Sequence, residues 1–449
     1  MRDFLPADKA VRDGVMAAIR SSFAAYGYRE IETPYVEELD RLTSGDGGDN
    51  EKLIYRILRR GLDPAEPVAP AAAADLGLRF DLTVPLTRYY ATHRSELPDV
   101  FRSIQMGPVW RAERPQKGRY RQFTQCDIDV LGEASWLAEV ELVTAALATL
   151  DAVGVGDVTV RINHRGILLG VLEACGFPPA ARSGVLISVD KLDKIGLSGV
   201  ADELREGGGS DATVDRLVAL LATLGPVDRP PAGTGAADLG PAADVDPADG
   251  TAGDGRAAFD ATLAALPAAV DAPVAVVAAI RDAVATVRPD ARLVADPTLV
   301  RGMGYYTGPI FELAHPSTSS SVGGGGRYDG MIGRFAGTDV PAAGISIGFE
   351  RIVGLVDPDR FGPATRRIAL VYGPGVAPSV LVGWQHRLVE DGASVRLVPR
   401  IRNTARQLGA LAAEGFDSYA VIDDDGAGPD AGAPGNLPTL RPLAASGHP

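Results

Sequence analysis

Between residues 111 and 121 the chain places Arg111, Arg114, Lys117, Arg119 and Arg121, opposed only by Glu113, although the whole protein carries a net charge of -14. Guanidiniums remain charged and grip phosphate or carboxylate oxygens as a two-toothed fork, so such a run can hold a polyanion. Directly after it, Arg121, Phe123, Gln125, Asp127 and Asp129 alternate with Thr124, Cys126, Ile128 and Val130. In a strand the first set shares one face, which presents amide and carboxylate acceptors, and the second packs. One end of the segment therefore suits phosphate, and the other a small cationic or N–H-rich group. The competing reading is a solvated hairpin laced with ion pairs.

Four further stretches carry chemistry. In "LGLRFDLTVPLTRYYATH" a strand is expected to run into a helix, with Arg79, Asp81 and Thr83 on one face at period two. Such a trio fits a ligand, or an internal salt bridge with a helix cap at Thr83. "VRGMGYYTG" sets Arg301 ahead of Tyr305 and Tyr306, whose hydroxyls can donate or accept; tyrosine pairs also serve as core. "SVGGGGRYDGMIGRFAG" reads as a glycine turn leading to a helix; it lacks the Gly-Lys-Ser/Thr ending of a P-loop. "GISIGFERI" places Arg351 at the start of a helix after a strand, which by itself says little.

The elements that must position these residues follow from periodicity. Residues 8–26 form an amphipathic helix with Val11, Val15, Ile19 and Phe23 on one stripe. Ile31 and Thr33 alternate with Glu30 and Glu32 as in a strand ended by Pro34. "SIQMGPVWRAE" and "RYRQFTQCDIDVLG" form two antiparallel strands joined near 115–118, residues 137–152 a helix, and "DVTVRIN" a strand. Residues 165–290 are helical in pattern, interrupted by an Ala/Gly/Pro-rich stretch over 226–257 with few large apolar residues. A fresh α/β pattern begins after 362, and its last part, from Asp423 on, lacks the pattern of a complete final sheet.

The totals bound the class. A chain of 449 residues exceeds one ordinary core. With 46% hydrophobic and 23% charged residues it reads as a soluble globule. Cys126 and Cys175 give neither a disulfide framework nor metal-ligand spacing, five histidines are scattered, and no metal site is expected. The start, "MRDFLPADKA", reads as no signal peptide, and the most apolar region is broken by two prolines and an aspartate. A cytoplasmic protein without membrane contact is expected.

In this order the pieces resemble the class II aminoacyl-tRNA synthetases of the histidyl family. "EIETPYVEEL" with Pro34 resembles the first, dimer-forming motif, "RAERPQKGRYRQFTQCDIDVLG" the second, and "GISIGFERI" the third. "LVRGMGYYTG" and "GGGGRYDG" resemble segments peculiar to the histidine-specific enzymes. Many members carry Glu where Asp129 stands, Pro-Glu-Gly-Thr in place of Phe80-Asp81-Leu82-Thr83, and Asp at Gly304.

The resemblance implies an α+β fold. An antiparallel sheet core would span 1–164 and 291–362, with a helical insertion over 165–290 that clasps the tRNA acceptor arm. An α/β anticodon-binding domain would span 366–449, with Arg396, Arg400, Arg402 and Arg406 on a basic edge. It implies a homodimer that activates L-histidine with ATP and Mg²⁺ and charges tRNA(His). Arg111 would contact the α-phosphate and the amino-acid carboxylate, Glu113 the adenine, Arg119 and Arg121 the loop over ATP, and Arg351 the γ-phosphate. Asp81, Thr83 and Gln125 would receive the α-amino group, Asp129 and Tyr306 the imidazole with Tyr305 beside them, and Arg301 would stabilise charge at the α-phosphate. Two alternatives stand beside this. One is a non-catalytic regulatory subunit of ATP phosphoribosyltransferase; the retained Arg111, Arg301 and Arg351 and the third domain count against it. The other is a different class II synthetase, which would not explain the histidine-specific segments.

Overall fold

The computed structural model describes residues 1–43, 53–62, 69, 72–114, 120–224, 252–301, 305–318, 320–361, 366–423 and 438–443. The chain divides into Met1–Asp357 and Pro358–Pro449.

The first unit opens with helix α1 (Pro6–Ala25), started by a proline in its first turn and buried along Val15, Ile19 and Phe23. Its strands in chain order are β1 (Arg29–Glu30), β2 (Val36–Glu38), β3 (Arg56–Leu58), β4 (Ala74–Leu78), β5 (Phe101–Trp110) and β6 (Gln122–Leu131). They continue with β7 (Thr159–His164), β8 (Arg292–Ala295), β9 (Pro309–Ala314), β10 (Gly323–Arg327) and β11 (Ala342–Gly348). Helices α2 (Leu39–Leu42), α3 (Thr83–His93) and α4 (Leu137–Ala152) alternate with the early strands. Helices α5 (Arg165–Ala174), α6 (Pro179–Val189), α7 (Leu192–Glu206), α8 (Asp211–Thr223), α9 (Ala252–Ala264) and α10 (Asp271–Val287) lie between β7 and β8. The unit's later helices are α11 (Gly330–Ala336) and α12 (Phe349–Val353).

Eight strands form one sheet in the order β1-β5-β6-β11-β10-β9-β7-β8. Its inner six are antiparallel, while β1 and β8 run parallel to their neighbours at the two edges. The register aligns Gln105, Asp127, Ser346, Gly324, Glu312 and Arg161 across six successive strands. Residues directly opposite share a face, so this is a polar row on one side of the sheet. The alternate residues Cys126, Ile128, Ile345, Ile347, Phe311 and Leu313 are buried and apolar, and α1, α4 and α10 pack on the sheet. A smaller sheet, β2-β4-β3, joins α3 and α11 in a second core around Leu42, Phe80, Leu86 and Ile332.

Several local expectations are corrected. The glycine run is not a turn: Gly323–Arg327 is a fully buried central strand, because β9 and β11 close it from both sides. The expected run of strand from Leu76 into α3 stops at Leu78, and Thr83 is already the first helical residue. Arg79, Asp81 and Thr83 therefore do not share a strand face. Arg79 is instead buried, donating to the carbonyls of Thr33 at 2.9 Å and Pro108 at 3.0 Å, with its cation 4.4 Å from the Tyr35 ring. The helix cap comes from Asp81 rather than Thr83, its Oδ1 accepting from Val84 N at 3.2 Å. The strand read over Ile31–Thr33 is also shorter, with β1 ending at Glu30. Residues 226–251 of the Ala/Gly/Pro stretch lie outside the described residues, as do 115–119 with Lys117 and Arg119, and Gly304, while 252–257 already belong to α9.

The second unit is a four-stranded sheet, β13 (Ser394–Pro399), β12 (Arg367–Tyr372), β14 (Ser418–Ile422) and β15 (Arg441–Pro442), with α13 (Pro378–Glu390) and α14 (Thr404–Ala413). The first three strands are parallel, and the two-residue β15 completes the edge antiparallel to β14. Arg396 and Arg400 are ion-paired with Glu414 and Asp423. Among the described residues, no single helix is long and apolar enough to cross a membrane; one bent pair, Gly255–Ala264 and Ala268–Val287 at 109°, passes on length and composition.

Candidate active site

The polar face of the sheet brings together Arg111, Gln125, Asp129, Arg301 and Tyr306 of the residues singled out from the sequence, whereas Arg121 stays exposed and Asp81 and Thr83 belong to the start of α3. Arg111 leaves the end of β5 and donates from Nε to the Phe80 carbonyl at 3.0 Å. Its Nη2 reaches Gln125 Oε1 at 3.5 Å, and its cation lies 5.0 Å from the Phe123 ring centre. Gln125 in turn donates to Asp127 Oδ2 at 3.1 Å and to Ser346 Oγ at 3.3 Å. From the opposite side, Arg301 donates to Glu312 Oε2 at 3.0 Å and to Ser321 Oγ at 2.7 Å. Arg351, from α12, donates to the carbonyl of the same Ser321. One residue thus holds two guanidiniums side by side. Arg121 is exposed, its Nε donating to the Glu113 carbonyl at 3.1 Å at the mouth of the hairpin.

Glycines keep this face low. A Cβ on Gly324 would stand 2.3 Å from Arg301 Nη1, one on Gly326 3.0 Å from the Tyr306 ring, and one on Gly344 1.9 Å from Asp129 Oδ1. The backbone of β10 and β11 is therefore a floor on which the arginine, tyrosine and carboxylate lie. Tyr305 and Tyr306 pack against each other with ring centres 4.3 Å apart. Gly344→Ala is expected to push the Asp129 carboxylate aside. The outcome to measure is a fall of about 1–3 kcal/mol in the unfolding free energy of the variant, the usual cost of forcing a buried group out of its seat.

Sequence reasoning missed Tyr328. Its hydroxyl donates to Asp129 Oδ1 at 2.6 Å and fixes that carboxylate. Asp127 appeared only as a member of the strand face, yet it sits at the centre of the polar row. Ser321, Ser346 and Glu312 were also unmarked. Only the register, which joins positions more than a hundred residues apart, brings them together.

Three carboxylates are crowded here. Burial raises Asp81 to about 6, against its hydrogen bond from Val84 and the nearby Arg111. Burial likewise raises Asp127 to about 7, with Ser346 and Gln125 opposing and Asp81 reinforcing. Asp129 is pushed well above the carboxylate range by burial and by Asp127, against the Tyr328 hydrogen bond. Each therefore keeps its proton in the folded protein at pH values where the unfolded chain has lost it. The stability tied to Asp127 is fully present below about pH 4 and is lost as pH rises through about 7. Asp127→Asn does not titrate, so its Tm should gain on the parent protein between about pH 4.5 and pH 8 in the absence of substrate. A gain that shrinks over that range would contradict the assignment.

The site can bind a polyanion at its arginine end and a cation with several N–H groups at its carboxylate end. An antiparallel sheet with flanking helices and this polar face is the frame of the class II aminoacyl-tRNA synthetases. A family model for histidyl-tRNA synthetase matches residues 1–229 and 248–352. The chain belongs to the histidyl-tRNA synthetase family. It is 50% identical over 433 residues to the histidine–tRNA ligase of Leifsonia xyli subsp. xyli, covering 95% of this chain and 94% of that protein. The crystal structure of histidyl-tRNA synthetase from Nostoc sp. PCC 7120 is similar with a TM-score of 0.69 at 26% identity, covering 94% of this chain and 90% of that one. An ATP phosphoribosyltransferase regulatory subunit/histidyl-tRNA synthetase from Bacillus halodurans C has a TM-score of 0.70 over 94% and 96% of the two chains; at 19% identity that likeness concerns the fold alone.

Proposed function

We propose that this site activates L-histidine with ATP, releasing pyrophosphate, and passes the histidyl group from the adenylate to tRNA(His). The enzyme is a histidine–tRNA ligase, in keeping with its family and with a ligase relative that matches nearly its whole length. The observation that carries the reading is one sheet face with buried carboxylates at one end and guanidiniums at the other.

The histidine carboxylate attacks the α-phosphorus in line as the bond to pyrophosphate breaks, and negative charge grows on the phosphoryl oxygens. Preorganised cations gain most from that charge. Arg111 and Arg301 take this role, Arg351 takes the γ-phosphate end, Glu113 lies near the adenine, and Arg121 lies beside the loop over the nucleotide. Asp81, Thr83 and Gln125 receive the ammonium, whose positive charge replaces the proton that burial otherwise retains. Asp129 and Tyr306, with Tyr305 beside them, complement a neutral imidazole, which has one donor and one acceptor nitrogen. Mg²⁺ would arrive with ATP as the counter-ion of its phosphates and would offset charge on the departing pyrophosphate. The helices over 165–290 meet the acceptor arm, and the unit after 366 meets the anticodon. The enzyme acts as a cytoplasmic homodimer through the segment around Pro34, without a membrane.

The test is ATP–pyrophosphate exchange across all twenty amino acids. Exchange with histidine alone is expected. Exchange with none would favour the regulatory-subunit reading, and exchange with a different amino acid would overturn the histidine assignment.

A further inference from the structure

We propose that Glu312 is a positioning residue that orients Arg301 toward the reacting phosphorus, and that Arg161 and Asp296 hold Glu312 in place. The proposal rests on the role given to Arg301 above.

Arg301 lies flat on Gly324 and is anchored along one edge. Its Nε and Nη2 both stand 3.0 Å from Glu312 Oε2, and Nη2 also donates to Ser321 Oγ at 2.7 Å. Nη1 has no hydrogen-bond partner among the described residues. An arginine fixed in this way keeps one edge for an incoming oxygen without searching rotamers. Preorganisation of this kind is what makes a cation effective in catalysis.

Glu312 is itself fixed. Its other oxygen, Oε1, accepts from Arg161 Nη1 at 2.6 Å. Arg161 and Glu312 face each other directly across β7 and β9, and Glu312 faces Gly324 across β9 and β10. Arg161 also pairs with buried Asp296 just beyond β8, whose Oδ1 accepts from Thr298 N at 3.0 Å and Thr298 Oγ1 at 2.6 Å. Desolvation would raise the Glu312 carboxyl, but Arg301 and Arg161 together hold it below its ordinary value. Two cations and two anions alternate along the row, so each buried charge has a partner. A purely structural ion pair would need only Arg161 and Asp296. Glu312 extends the row to the half-buried edge of the site and ends it on Arg301, one of the two arginines assigned to the developing charge.

The test uses the full chain in histidine-dependent pyrophosphate exchange. Glu312→Gln keeps the side-chain volume but can no longer accept from both arginines as an anion. Its kcat should fall about 10–100-fold, the loss expected when a reacting group is misplaced by an ångström or less, with both KM values within about twofold. In an Arg301→Ala background the same change should alter the residual rate by less than about twofold, because the group it orients is gone. Ser321→Ala removes the second anchor and leaves the buried pairs intact; a smaller kcat loss of about 3–10-fold is expected, so an unfolded Glu312 variant still leaves a decisive result. Unchanged kcat in both variants overturns the proposal, as does a Glu312→Gln loss that persists undiminished without Arg301. Absence of exchange in the unmodified chain would remove the assigned role of Arg301, and the proposal with it.

Discussion

Arg301→Ala is expected to lower the kcat of histidine-dependent pyrophosphate exchange by about 10²–10³-fold, the usual loss when one preorganised donor to a developing oxyanion is removed. The histidine KM should move by no more than about threefold, because the charge it meets appears only in the transition state. Arg301→Lys should recover part of the rate. Lysine supplies the charge but not the planar fork that Glu312 and Ser321 hold on Gly324. The alanine variant also leaves Glu312 with one cation fewer, so a modest fall in Tm accompanies its loss of rate. A kcat within about fivefold of the parent would show that charge at phosphorus is met elsewhere.

Asp129→Ala is expected to act on the amino acid instead. The change would strip the acceptor proposed for an imidazole N–H, and it removes the acceptor of the Tyr328 hydroxyl, which donates to the same carboxylate. Two buried donors left without partners cost roughly 2–4 kcal/mol, or about 10²–10³-fold in kcat/KM for histidine. The ATP KM should hold. Tyr328→Phe should cost less, because the carboxylate survives and loses only its orientation. Measuring kcat/KM for both substrates in the two variants separates these outcomes; equal losses for ATP and histidine would place Asp129 outside the imidazole subsite.

Much of this was legible along the chain because it is local. Strand alternation across 121–130 put Gln125, Asp127 and Asp129 on one face, and the register confirms that face through Ser346 and Gly344. The helix over 137–152 and the strands and helices of the second unit were equally plain, since each repeats its apolar residues at its own period. What periodicity could not show was contact between distant segments. Tyr328 meets Asp129 only because β10 and β6 both flank β11. Four consecutive glycines carry no side-chain pattern, so their strand is visible only from its neighbours. At Arg79–Thr83 alternation misled, because the strand had already ended and Asp81 had become a helix cap.

The long excursion between β7 and β8 has a further meaning. Parallel neighbours need a crossover of only a dozen residues or so, and α10, lying against β7 and α4, already serves as that span. Helices α6, α7 and α8 pack in sequence upon one another and upon α5. The cost of closing a loop grows only with the logarithm of its length. This part of the chain is thus a cantilever on a fixed footing. It can be lengthened, trimmed or resurfaced while the sheet that carries the polar row keeps its alignment.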